Sequence, residues 1–145
     1  MLPPPIIFGT ALGLGLALGR TRRDGSPRAR VVRALGTASV VAGIALGIAT
    51  LRALRGVRTT VSPYGTPSTL VTRGPFAWTR NPGYVGATAI FVGVAMREGS
   101  LPALVLLPIA LAILDHHVVA AEERRLASLF GDTYATYYRD VPRWF

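Results

Sequence analysis

Four apolar stretches alternate with short arginine-rich segments, and that layout constrains this chain more than any single motif. The stretches cover residues 2–19, 34–51, 84–96 and 101–114. The first two have 18 residues each, close to the roughly 20 that an α-helix needs to cross a hydrocarbon core. The other two have 13 and 14, only about 20 Å of helix, so they must tilt, recruit polar flanks or thin the bilayer. Half of the residues are hydrophobic. Apolar blocks spaced by charge point to lipid as the solvent. The expected fold is all-α: a polytopic membrane protein with about four transmembrane helices and a C-terminal amphipathic helical tail.

The charge supports this reading. Sixteen basic residues, all of them arginine, face seven acidic ones for a net +9. A nucleic-acid binder would carry its arginines on a soluble face with stacking aromatics. Here they sit at the ends of apolar blocks, where they anchor helices and meet anionic headgroups. The expected partner is therefore the lipid bilayer and not nucleic acid. Cysteine is absent, which excludes disulfides, thiolate metal sites and a cysteine nucleophile. The first block has no basic residue ahead of it, so it reads as a retained membrane helix and not as a signal peptide.

Local signals refine the layout. The first two blocks are rich in glycine, including Gly9, Gly13, Gly15, Gly36, Gly43 and Gly47. Small residues let helix backbones approach, and these two helices are expected to pack as a pair, joined by a loop turning at Asp24-Gly25-Ser26-Pro27. Only Arg97-Glu98-Gly99-Ser100 separates the last two blocks, which form an antiparallel hairpin. Ser100 is placed to cap the final helix, with Pro102 in its first turn, and Pro108 is expected to kink it. The polar linker from Arg52 to Arg80 contains Val61, Leu70, Val71, Phe76 and Trp78, which argue for order. Beyond residue 114, Leu126, Phe130, Tyr134, Tyr137 and Val141 recur at helical spacing. Gly131-Asp132 marks a stop and a fresh helix start.

Arg80, Asn81 and Tyr84 open the third block, while Asp115, His116, His117, Glu122 and Glu123 follow the fourth. A four-helix path returns the chain to its starting side after each pair, so these groups meet at one membrane surface. Ionisable groups clustered beside an apolar bundle mark a candidate functional site. On a continuing α-helix Asp115 and Glu122 share one face, and His116 and Glu123 the adjacent one. Read singly, each has a plainer alternative: Glu122 to Arg125 as a solvated helix surface, Arg80 as a snorkelling anchor. Adjacent histidines point to different faces and no third ligand has a suitable spacing, so no metal site is expected.

The order of the motifs is more specific than any one of them. G-P-F-x-W-T-R-N-P-x-Y-x-G begins at Gly74, E-E-x-x-L-x-x-x-F-G-x-x-Y-x-x-Y at Glu122, and V-P-R at Val141. With the apolar hairpin between the first two, the set resembles the integral-membrane methyltransferases that include isoprenylcysteine carboxyl methyltransferases and phospholipid methyltransferases. The resemblance covers residues 58–145; the first two helices match only as generic spans. It implies a bacterial member of that family, with an S-adenosylmethionine pocket formed by linker, hairpin and C-terminal helices and no Rossmann domain. The cofactor-site elements it implies are Arg80, Asn81, Pro82, Tyr84, Gly86, Glu122 and Glu123, with Arg80 and Glu123 as the catalytic pair. Glu122 or Glu123 can pair with the cofactor ammonium, and Arg80 with its carboxylate in bidentate fashion.

Asn81 stands where the carboxyl methyltransferases carry histidine, and the larger relatives have additional leading helices. The acceptor therefore stays open among carboxyl, thiol and amine groups on a hydrophobic or membrane-partitioned molecule. In-line methyl transfer depends mainly on positioning. An amine or thiol acceptor also needs its proton removed, by Glu123 or His116. The alternative function is a non-catalytic membrane scaffold or partner subunit that keeps the methyltransferase fold. Residues 1–54 read as an N-terminal helix pair and 55–145 as the cofactor-binding part of one integral-membrane domain. Nine arginines fall on the linker and tail side against seven on the other, which decides little under the positive-inside rule. The active site is assigned to the cytosolic face of the bacterial inner membrane because the cofactor is cytosolic.

Overall fold

The computed structural model describes residues 3–19, 25–56 and 69–144, and every regular element among them is helical. Arg20, Arg22, Arg23, Asp24, Arg58 and Val61, which enter the expected loop, linker and charge balance, lie outside the described residues. Helix α1 (Pro4–Leu18) starts in the proline run, where the missing N–H groups are those a helix leaves unbonded anyway. Helix α2 (Pro27–Gly56) has 30 residues and extends past the expected block at both ends. Ser26 Oγ accepts from the Ala29 N–H at 3.2 Å and Pro27 takes the first position. The strong helix formers Arg28, Arg30 and Arg33 then carry the helix through what the sequence suggested was loop.

Helix α3 (Pro82–Glu98) closes on Gly99 at φ +62°, the left-handed conformation that glycine adopts freely. Ser100 caps α4 (Leu101–Ile113) by accepting from the Ala103 N–H at 3.3 Å, and Pro102 lies in the first turn. Its hydroxyl also donates to the Gly15 carbonyl at 2.8 Å, tying the hairpin turn to α1. Helix α4 runs through Pro108 without a break into a π segment, Leu114–Val119, and on into α5 (Ala120–Asp140). Gly131 leaves helical geometry at φ +50°, ψ −125°, dividing α5 where the sequence marked a stop. Two helical runs are long and apolar enough to cross a membrane, Pro27–Gly56 and Leu101–Asp140, while α1 is apolar but shorter. Val41, Ile44, Val105 and Ile109 face outward.

The helices pair differently from the expectation. α1 and α2 are not the packed pair; α2 lies along α3, and α1 along α4. The glycines do mark the close approaches, but to other partners. Gly36 meets Gly93 and Gly43 meets Gly86 across the antiparallel α2–α3 contact, while Gly15 meets the backbone of Ala103 in α4. Packing without side chains in the way brings whole backbones into van der Waals range, the main attraction available between helices in lipid. Phe8, Phe91, Ala95, Ala103, Ala110, Leu114 and Val119 form the core between α1, α3 and α4. Tyr134, Tyr137 and Val141 form a second cluster with Leu70 of the linker, so the aromatic stripe of the tail folds back onto the protein.

Candidate active site

The segment before α3 is held by the segment after α5. Gly74 (φ +64°) and Pro75 start a short 3₁₀ turn, Gly74–Ala77, whose Phe76 carbonyl accepts from the Tyr137 hydroxyl at 2.8 Å. The following Thr79-Arg80-Asn81 then lies against Pro142-Arg143. The Arg80 N–H donates to the Pro142 carbonyl at 2.9 Å, and the Thr79 hydroxyl and Asn81 amide both donate to the Arg143 carbonyl, at 2.8 and 3.2 Å. Asn81 and Pro82 are buried at the start of α3. Two sequence-distant strips are thus stitched together, and each contributes an arginine.

Arg80 points inward. Its side chain is 8% exposed and its Nη1 lies 2.8 Å from Glu123 Oε1, itself 11% exposed. The guanidinium sits over the Tyr138 ring at 3.9 Å, a cation–π contact. Nη1 is close enough to Glu123 for ion pairing but misaligned for a hydrogen bond, and the buried Nε has no acceptor among the described residues.

Arg143 completes the network. It grips Glu123 through Nε, at 3.1 Å, and Nη2, and reaches both Asp115 oxygens through Nη1 at 3.0 and 3.2 Å. Trp144 Nε1 donates to Asp115 Oδ1 at 3.0 Å. Hydrogen bonding to Glu123 raises the Arg143 pKa above its ordinary value, so it stays charged. Arg80 and Arg143 against Glu123 and Asp115 make a neutral quartet, which is how charges survive at low exposure. Glu122 points elsewhere and accepts from the Tyr84 hydroxyl at 2.9 Å.

The faces differ from those of a regular helix. Asp115 and Glu123, eight residues apart, converge on Arg143, whereas Asp115 and Glu122 were expected to share a face. The π segment explains the change: each of its turns takes up an extra residue and rotates the rest of the helix about its axis.

Of the residues the sequence proposed for the site, Arg80, Asn81, Pro82, Tyr84, Glu122 and Glu123 gather at this end of the bundle. Gly86 is used otherwise: it faces α2, where an added Cβ would stand 2.9 Å from the Gly43 carbonyl oxygen. Arg143, Tyr138 and Trp144 were not singled out. For Arg143 a signal exists, since it closes the V-P-R motif and two carboxylates at one site need more than one cation. Tyr138 and Trp144 carry none that separates them from the other aromatics.

Beside the quartet, α3 and α4 touch only sparsely. Between them opens a cavity of about 530 Å³, lined by Val85, Thr88 and Ala89 of α3, by Leu111 and Ala112 of α4, and by Asp115, His116 and Trp144. Its wall is mainly apolar with a polar end. Asp115 and Trp144 belong to both cavity and ion network, so the two are contiguous. Among the described residues no group of three histidines or carboxylates is placed to hold a metal ion.

The profile of the phospholipid methyltransferase family matches residues 31–133. The chain is 36% identical over 73 residues to the protein-S-isoprenylcysteine O-methyltransferase of Schizosaccharomyces pombe, covering 50% of this chain and 31% of that protein. It is also 36% identical over 78 residues to the cobalt-zinc-cadmium resistance protein CzcN of Cupriavidus metallidurans, covering 54% of this chain and 36% of that one. The matches thus span about a third of the length of these curated relatives. No solved structure matches the chain. The matched stretch takes in the α2–α3 glycine contact, the Arg80–Glu123 pair and the cavity lining except Trp144, and this chain belongs to the phospholipid methyltransferase family.

Proposed function

We propose that this protein transfers a methyl group from S-adenosylmethionine to a hydrophobic acceptor held within the membrane. One observation carries the reading: a buried Arg80–Glu123 pair, with the Arg80 Nε donor left over, is joined through Arg143 to Asp115, which lines an apolar cavity. Family membership implies a methyl donor. S-adenosylmethionine supplies an electrophilic methyl on a sulfonium and an amino-acid end with one carboxylate and one ammonium. That zwitterion carries the same two charges as the Arg80–Glu123 pair. It can sit across them, carboxylate on Arg80 and ammonium on Glu123, without leaving net charge buried.

The other residues have supporting roles in this reading. Asn81 and Thr79 hold the Arg143 strap, Pro82 sets the start of α3, and Tyr84 orients Glu122. The exposed apolar residues of α1, α2 and α4 suit lipid contact, and this reading takes α3 as the fourth span, with linker and tail together on the cytosolic side of a bacterial inner membrane. The cavity admits an acceptor tail from between α3 and α4.

Calorimetry of the purified protein in detergent with S-adenosylmethionine tests the binding half. A ligand that binds only the folded state also raises apparent stability by mass action, so a thermal shift should accompany it. Transfer of labelled methyl into lipid extracts tests the reaction. No binding at millimolar cofactor would favour the scaffold alternative.

A further inference from the structure

We propose that His116 is the catalytic base of this site, its Nε2 taking the proton of an amine or thiol acceptor whose apolar tail occupies the cavity between α3 and α4. This rests on the methyl-transfer reading above and narrows its acceptor. The tautomer is the starting point. His116 Nδ1 lies 2.9 Å from the Ala112 carbonyl oxygen. A carbonyl only accepts, so Nδ1 carries the proton in that bond, and in a neutral imidazole Nε2 is then the bare nitrogen. No donor among the described residues fills it, and His116, an exposed residue, is one of those that line the cavity.

The carboxylates nearby are poorer bases for this purpose. Asp115 also lines the cavity, but its oxygens receive Arg143 and Trp144. Glu123 is shared between Arg80 and Arg143. Protonating either would leave an arginine short of its counter-charge. Glu122 accepts from Tyr84 and does not line the cavity, and neither does His117. The group that combines access with an open lone pair is His116.

The acceptor class is set by the proton. An N–H or S–H nucleophile forms a bond to the methyl carbon as the carbon–sulfonium bond breaks, its electron pair staying on sulfur. The acceptor proton passes to Nε2 and from there to water. A carboxylate has no such proton to give, and its charge would face Asp115 at the polar end of the cavity.

The test uses the full chain in nanodiscs with three probes, dodecylamine, dodecanethiol and dodecanoate. With only two histidines in the sequence, His117→Asn leaves His116 as the single ¹⁵N-histidine signal. The spectrum should show a protonated Nδ1 and a bare Nε2 whose resonance moves when dodecylamine is added. Labelled methyl should enter dodecylamine or dodecanethiol but not dodecanoate. His116→Asn, whose amide can keep the bond to Ala112, should lower that rate by about 100-fold or more, while calorimetric cofactor affinity stays within about twofold. A protonated Nε2, an undiminished rate in His116→Asn, or dodecanoate as the preferred probe would overturn the proposal. So would methylation of none of the three by a protein that binds cofactor. Loss of cofactor binding in the unaltered protein would instead overturn the methyl-transfer reading itself.

Discussion

Gly43 of α2 and Gly86 of α3 face each other so closely that a Cβ on either would stand 2.5 or 2.9 Å from the other's carbonyl oxygen. The obstacle in both directions is backbone, which cannot rotate away. Gly43→Val should therefore separate α2 from α3 and lower stability by at least about 2 kcal/mol, the range of overpacked cores. Gly13→Ala, whose added Cβ meets nothing within 4 Å, should not lower thermal stability in detergent. Equal melting of the two variants would contradict the pairing of α2 with α3.

Arg80→Ala and Glu123→Gln should each weaken S-adenosylmethionine binding while the bundle stays folded. A lost charge-assisted bond costs about 1.5–3 kcal/mol, one to two decades in affinity. Arg80→Lys should recover only part, because an ammonium lacks the planar fork and its stacking on Tyr138. Arg28→Ala, far along α2, serves as the control. Isothermal titration would decide; wild-type affinity in both Arg80→Lys and Glu123→Gln would return Arg80 to the role of an interface anchor.

Arg143→Ala should be more damaging than its partial exposure suggests. It leaves Asp115 and Glu123 without their shared cation, and unpairing a buried charge costs about 3–5 kcal/mol, less where solvent screens it as at Asp115. The expected result is loss of cofactor affinity together with faster proteolysis after Tyr138, because the strap onto Thr79 and Asn81 loosens. Asp115→Asn in the Arg143→Ala background should restore part of the protease resistance. If both single and double variants resist proteolysis like the parent, the strap does not depend on this network.

Absence of native cysteine makes the topology directly testable with single-cysteine variants. Under the four-span reading, Thr69→Cys and Ala135→Cys should react with an impermeant maleimide only from the cytosolic side. Gly25→Cys should react only from the other. Labelling of Thr69→Cys and Ala135→Cys from opposite sides would break the four-span arrangement.

The hairpin, its Ser100 cap, the Gly131 break and the aromatic stripe were all legible in the sequence because each is written within a few residues. The convergence of Arg80 with the carboxylates was legible too, since counting crossings brings those ends together. Helix pairing was not read correctly. Glycine shows that a backbone can be approached without saying by which neighbour. A clue was present all the same: Gly36 and Gly43 are seven apart, as are Gly86 and Gly93, a matched spacing that antiparallel partners require. The face shared by Asp115 and Glu123 was hidden for another reason. It depends on a π segment, and nothing in Leu-Asp-His-His-Val-Val distinguishes that geometry from an ordinary turn. Arg143 is visible in the sequence, but among so many arginines it reads as membrane charge.

The strap carrying Arg143 also fixes an order of assembly. Every group that Arg143 joins, from Thr79 to Glu123, precedes it along the chain, so a growing polypeptide makes α2, α3 and α4 before the second cation of the network exists. During that interval Asp115 has no arginine and Glu123 has Arg80 alone. The proposed cofactor pocket is therefore the last part of the protein to be completed.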